Sequence, residues 1–236
     1  MPYSAPLAPM RYSGRAMAIY LHETFEFNAD TAEDYLSHIV SNDMLPIVEA
    51  GGTKPIGLFR TALRNTEGVF LWELKDWPPR PTWSTRARPG PMSSYLERRL
   101  PYRKDWTDRL LVAAPFSPTR EQVLKRGYKN KLYMQVTAEV LPDKLDDFTS
   151  LIGKEGVPLS KKRGMELVGC FESAAGNVQG NEVIALWALD DWAHWGKVRE
   201  ARKSDKATGD YVRRGKAMLR RWSIKFLSPL PASPVQ

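Results

Sequence analysis

The chain opens its first long pattern with a period of two. Over residues 17–27 (MAIYLHETFEF), a run rich in β-branched and aromatic residues predicts a strand. After Asp30 the period lengthens. Ala32, Tyr35, Leu36 and Ile39 fall at helical spacing, with Glu33 in the first turn, and Gly51-Gly52 stops the helix. Two more strands are predicted at about 55–64 and 68–76, joined by the turn signal Asn65-Thr66-Glu67-Gly68. A second helical region and a last strand near 106–114 complete the order βαββαβ. The second half reads the same way. It has strands near 131–141, 166–174, 181–190 and 221–228, and helices near 143–163 and 192–219.

The likeness extends to single residues. Tyr20, Thr24, Glu26, Asp30, Asp34, Ser37 and Ile39 recur 113 positions later as Tyr133, Thr137, Glu139, Asp143, Asp147, Ser150 and Ile152. Pro46, Gly52, Gly57 and Phe59 recur as Pro158, Gly164, Gly169 and Phe171. The motif W-x-L-x-D-W at Trp72–Trp77 returns at Trp187–Trp192, and Tyr95, Arg98, Trp106 and Leu111 return as Tyr211, Arg214, Trp222 and Leu227. Four blocks in one order mean an internal duplication. The organisation read from it is a Pro-rich arm (1–15), a first unit (16–117), a linker (118–127), a second unit (128–230) and a tail (231–236).

This pattern predicts an α+β fold of tandem ferredoxin-like βαββαβ units. A four-stranded sheet with helices on one side leaves its other face bare. Two such units packed sheet to sheet close into a barrel and reduce open edges. The barrel interior is then the expected small-molecule cavity. The third strands lack the aromatic run of an RNA-binding βαββαβ module, so no nucleic-acid partner is expected.

Composition narrows this further. Of 236 residues, 42% are apolar and 26% charged, as in a globular chain, and the one cysteine excludes an intramolecular disulfide and a cysteine-based zinc site. No apolar run approaches the roughly 20 residues of a membrane span. The segment MPYSAPLAPMRYSGRA lacks the apolar core of a signal peptide, so a cytoplasmic location is expected. The net charge of +8 is local: Lys197–Lys225 holds 11 basic and 3 acidic residues. It reads as a solvated helix face, or as a contact for a partner, apart from the cavity.

The run 164–191 (GMELVGCFESAAGNVQGNEVIALWALDD), followed by a charged helix, resembles the NIPSNAP family, as does GLFRTALRNTEGVFLWELKDW more loosely. The resemblance spans about 16–115 and 128–230. It implies a dimeric α+β barrel, a group that includes cofactor-free monooxygenases, polyketide cyclases, lactone isomerases and haem proteins. Family first strands carry an Arg two residues after a Glu. Here those positions hold Leu21 and Glu23, then Met134 and Val136, so no role of that Arg transfers.

Alternation supplies the candidate chemistry. Leu132, Met134, Val136, Ala138 and Val140 form an apolar line that packs under the helices, which turns Tyr133, Gln135, Thr137 and Glu139 inward. The matching inward line is Tyr20, His22, Thr24 and Glu26. His22, whose counterpart is Gln135, is the expected acid/base, because imidazole titrates near neutral pH. Tyr20 and Tyr133 would donate hydrogen bonds to substrate, and His38 or Glu23 would support His22. Thr24, Thr137 and Gln135 complete the substrate set. The segment after Trp77 carries prolines at 78, 79, 81, 89 and 91 and cannot be the helix its counterpart is. A loop bearing Trp83 and Arg86 is expected to cover a cavity entrance. Trp72, Trp77, Trp187 and Trp192 read as scaffold, and Cys170 as a buried thiol.

The expected function is a cofactor-independent enzyme of isomerase, cyclase, lyase or monooxygenase type. Its substrate would be apolar, aromatic or polyketide-like, as in secondary metabolism or aromatic catabolism. No metal or cofactor is expected, and a homodimer is compatible with the sequence. The alternative is a non-catalytic NIPSNAP-like binding or scaffolding protein. Third is a haem-binding barrel with His22, His38 or His194 as axial ligand.

Overall fold

The computed structural model describes residues 11–12, 15–16, 18–28, 30–36, 40, 44–75, 97, 99–174 and 181–236. After a two-residue ladder between Arg11–Tyr12 and Arg15–Ala16, eight strands follow. They are β1 (Ile19–Phe27), β2 (Lys54–Thr61), β3 (Arg64–Leu74), β4 (Arg103–Ala113), β5 (Leu132–Val140), β6 (Glu166–Ser173), β7 (Asn181–Leu189) and β8 (Leu219–Pro229). They close into an antiparallel barrel in the order β8-β2-β3-β1-β4-β6-β7-β5. Each half contributes one ferredoxin-like sheet, β2-β3-β1-β4 and β6-β7-β5-β8. The seams between halves are short: Leu111–Ala113 against Phe171–Ser173, and Leu227–Pro229 against Phe59–Thr61.

One expected turn lies elsewhere. The β2–β3 hairpin turns at Ala62–Leu63, with Thr61 paired to Arg64, and Asn65–Gly68 run inside β3. Side-chain bonds made by Glu67 explain the shift, because Thr61 Oγ1 donates to its Oε1 at 2.9 Å across the new ladder. The repeated glycine–phenylalanine pair also gains a reason. At Gly57 and Gly169 a ladder irregularity bends the strand, and a Cβ would stand 2.3 Å and 2.5 Å from the rings of Phe59 and Phe171. Only glycine lets each ring fold back over the backbone into the interior.

The helices lie outside the sheets. α1 (Ala32–Asp34) and α2 (Leu45–Ala50) belong to the first unit. The linker forms α3 (Arg120–Arg126), started by a Thr119/Gln122 capping box and stopped by Gly127 at φ 64°. In the second unit α4 (Leu145–Leu151) runs through a wider turn, Ile152–Gly156, into α5 (Val157–Lys161). The expected 192–219 helix is two helices, α6 (Trp192–Ser204) and α7 (Lys206–Lys216). They break at Asp205, whose side chain leaves the helical path to accept from the Ala207 N–H at 3.0 Å.

Alternation divides three cores. Ile19, Leu21, Phe25 and Phe27 pack outward with Tyr35, Phe70 and Trp72 beneath α1. Leu132, Met134, Ala138 and Val140 pack outward with Phe148 and Trp187 beneath α4–α7. Tyr20, Phe59, Leu111, Tyr133, Phe171 and Leu227 fill the barrel interior. One barrel end is plugged by the segments that follow the fourth strand of each unit. Val123 of α3 and Val235 of the tail both enter the interior core, and Tyr133 Oη donates to the Gln236 carbonyl at 2.9 Å.

Candidate functional site

The interior becomes polar away from that plug. His22 and Gln135, repeat counterparts on β1 and β5, meet across the barrel, with His22 Nε2 2.9 Å from Gln135 Oε1. Gln135 Nε2 donates to Thr137 Oγ1 at 3.3 Å, which leaves Oε1 as the acceptor for His22 and the lone pair on Nδ1. That Nδ1 is buried without a hydrogen-bond partner. Two crossed ion pairs flank the couple. Arg109 of the first unit donates to Glu182 of the second at 2.8 Å, and Lys225 of the second to Glu67 of the first at 2.5 Å. Burial lowers the His22 pKa to about 4, and the Arg109 and Lys225 charges push the same way. Burial also raises Tyr20 to about 12, helped by Glu73, and raises Tyr133.

Glu23 sits on the opposite side of the sheet from His22, among the outward residues of β1. Its Oε2 accepts from Trp72 Nε1 at 2.7 Å, and its Oε1 lies 3.8 Å from Arg99 and 3.9 Å from Arg103. Arg103 in turn donates to Tyr35 Oη at 2.9 Å and lies 4.1 Å from the centre of the Phe25 ring. The expected support of His22 by Glu23 is therefore corrected: a β-sheet separates them, because adjacent residues on a strand point to opposite faces.

An apolar cavity lies in the other unit, on the outer face. A space of about 160 Å³ lies between β5, β7 and β8 and the helices α4–α7. Its apolar wall includes Met134, Val136, Ala138, Phe148, Trp187 and Ile224. Arg163, Arg202, Tyr211 and Lys216 bring polar atoms to it. Arg163 is committed: it pairs with Asp205 and bonds Thr208 and the Leu159 carbonyl. Burial raises the Tyr211 pKa to about 12, so its hydroxyl stays a donor. Repeat register explains why the space exists. Ala138, which lines it, occupies the position of Phe25, so a methyl stands where the first unit packs a ring, and Ala185 replaces Phe70 in the same core.

The sequence-derived residues thus separate. Tyr20, His22, Tyr133 and Gln135 share the interior, and Thr24 and Thr137 stand half-buried beyond them on the same faces. Glu23 is on the outer face, and His38, Trp77, Trp83 and Arg86 lie outside the described residues. His194 caps a turn: its Nδ1 accepts from the Asp190 N–H at 3.2 Å and its Nε2 lies 2.7 Å from the Arg163 carbonyl. Both ring nitrogens are engaged, so it is not poised to ligate haem. No cluster of metal-ligating side chains occurs among the described residues. The expected separation of the basic stretch from the barrel interior is corrected, since Lys225 at its end pairs with Glu67 and its charge acts on His22, while Arg202 and Lys216 line the outer cavity. Comparing Phe25 with Ala138 across the repeat is the sequence signal that would have located this cavity.

Fold and site together define a tandem α+β barrel of the dimeric type. Residues 137–234 match the NIPSNAP family. The matched stretch lies in the second unit. Both units together superpose on a candidate monooxygenase from Lactobacillus acidophilus NCFM, with TM-score 0.62, 12% identity, and coverage of 93% of this chain and 97% of that one. A candidate monooxygenase from Fusobacterium nucleatum gives 0.58 at 15% identity, over 91% and 93%. An anthrone oxidase-like protein gives 0.57 at 12%, over 93% and 94%. These identities show a shared fold. No protein of curated function matches the chain. No helix among the described residues is long and apolar enough to cross a membrane.

Proposed function

We propose that this protein binds an apolar, ring-sized small molecule in the outer cavity of its second unit. The observation that carries this is the opening of about 160 Å³ at Ala138, on the face where the first unit is filled by Phe25. A space of that size, lined mainly by apolar side chains, suits roughly one aromatic ring. The barrel interior is a weaker host, because Tyr20, Phe59, Tyr133 and Phe171 already occupy it. The test is titration with indole and toluene, followed by NMR. Wild type is expected to bind, and Ala138→Phe to lose binding while keeping its fold by circular dichroism. Equal binding by the variant would remove the cavity from the account.

A second reading keeps the cofactor-independent acid/base enzyme, and the orphan Nδ1 of His22 favours it. A neutral imidazole with a free lone pair is a base in form. Its pKa of about 4 makes it a weak one at neutral pH, where general bases work best with a pKa near the operating pH. The fold neighbours named for monooxygenase or oxidase activity agree with such chemistry on an aromatic or polyketide-like substrate. Turnover of any such substrate should fall at least about a hundred-fold in both His22→Ala and His22→Gln. Wild-type turnover in both would take His22 out of the reaction.

A further inference from the structure

The first unit carries a carboxylate in its own sheet–helix core, and the second unit has kept part of that carboxylate's setting without the carboxylate. In the first unit Trp72 Nε1 donates to Glu23. The counterpart tryptophan, Trp187, lines the cavity, but the counterpart of Glu23 is Val136. Among the described residues nothing accepts from the Trp187 indole N–H. The cations have also been replaced. Arg99 and Arg103 become Gly215 and Leu219, while Arg202 of α6 and Lys216 of α7 reach the same space.

We propose that the second unit takes from solution what the first unit supplies from its own chain: its cavity binds a small aromatic carboxylate, held by Trp187, Arg202 and Lys216. This rests on the cavity being the ligand site. Three of the wall residues are basic and none is acidic, so the wall is positive. Arg163 spends its charge on Asp205, whereas Arg202 and Lys216 make no salt bridge among the described residues. Lys216 instead lies 5.6 Å from the centre of the Trp222 ring, at the edge of the same space. Burial and the nearby Arg163 penalise the charge on Arg202, a penalty that an incoming anion relieves. The apolar wall at Ala138, Phe148 and Met134 then takes the ring. Glu23 shows the scale: a buried carboxylate accepting from one indole and facing two guanidiniums fits between this sheet and its helices.

The test compares acids with their neutral amides on the full chain by isothermal titration: benzoate against benzamide, and phenylacetate against phenylacetamide. At least one acid should bind about ten-fold tighter than its amide, the worth of one hydrogen bond to a charged group. Arg202→Gln should bring the pair within about two-fold, leaving amide affinity alone. Val136→Glu restores the internal carboxylate and should abolish acid binding. Equal binding of acid and amide by wild type, or a preference unchanged in Arg202→Gln, would overturn the carboxylate while the cavity stands. Failure of all four probes would overturn both. Should Val136→Glu fail to fold, Trp187→Phe serves in its place, with acid affinity expected to drop and amide affinity to hold.

Discussion

The two units share a ladder, a strand order and a repeat register, yet the space between each sheet and its helices has opposite character. In the first unit Phe25, Phe70, Tyr35 and Trp72 pack edge to face around the Glu23–Arg103 contact. In the second, Ala138, Ala185, Val136 and Ile224 replace Phe25, Phe70, Glu23 and Asp108, and a cavity opens. Duplication relaxes a constraint here. A barrel needs both sheets, but one core packed with rings can hold the fold while the other gives up packing. Most proteins have only about 5–15 kcal/mol of stability to spend in this way.

The sharpest way to break this comparison is to give the first unit the second unit's residue. Phe25→Ala should cost about 4 kcal/mol, the usual range for deleting a buried ring. Phe25 is fully buried, contacts three aromatic rings and lies under the Arg103 guanidinium, so its surroundings are held from several sides and cannot collapse. Urea unfolding measures it. A cost below about 1 kcal/mol would mean that the first core is no more sealed than the second.

Glu23→Val repeats the exchange for charge. It takes away the acceptor of Trp72 and the anion beside Arg99 and Arg103. Removing one member of a buried charged cluster leaves the others poorly compensated, and about 3 kcal/mol of destabilisation is expected. A neutral outcome would show that the cluster is held by packing alone.

How much of this was visible beforehand follows from what alternation and repetition encode. They state which residues share a face, and so Tyr20, His22 and Thr24 were assigned inward while the Leu132–Val140 line was assigned to the helices. They say nothing direct about volume. The exchange of Phe25 for Ala138 was present in the alignment of the halves, but a methyl in an apolar line reads as core until its neighbours are placed. The hairpin turns away from its strongest local signal, Asn65 to Gly68, because the tertiary bonds of Glu67 outweigh those turn residues. Arg202 and Lys216 are hidden in the sequence for a similar reason: a basic run on a helix has solvent as its default partner, and only packing shows which of its members meet a cavity.

The crossed interior joins the units, and pH probes it. His22 is neutral in the fold, with its pKa lowered from 6.5 to about 4. As pH falls below 6.5 the unfolded chain takes up a proton that the folded chain refuses. Stability is therefore complete above 6.5 and drains away as pH approaches 4. At ~1.4 kcal/mol for each pH unit, this sets a ceiling of roughly 3 kcal/mol, of which about 2 is a realistic share. His22→Gln installs the residue of the other unit and should flatten that part of the acid limb. Urea midpoints between pH 7 and pH 4 for both proteins give the difference. Parallel curves would show that His22 titrates alike in both states.

The smallest effect tests the second unit from its helix side. Gly215 lies within α7 and lines the cavity where the first unit has Arg99. A Cβ placed there would stand 3.7 Å from Phe148 Cε2 and 3.9 Å from Leu151 Cδ2, which is ordinary contact. Nothing in the packing therefore requires glycine, and glycine inside a helix costs roughly 0.5–1 kcal/mol relative to alanine. Gly215→Ala should raise stability by about that amount and narrow the cavity by one methyl. If ring-sized probes bind less tightly while the protein grows more stable, the glycine is kept for the ligand and not for the fold. If stability falls, α7 is packed more tightly than these distances imply, and the contrast between the sealed and the open unit weakens.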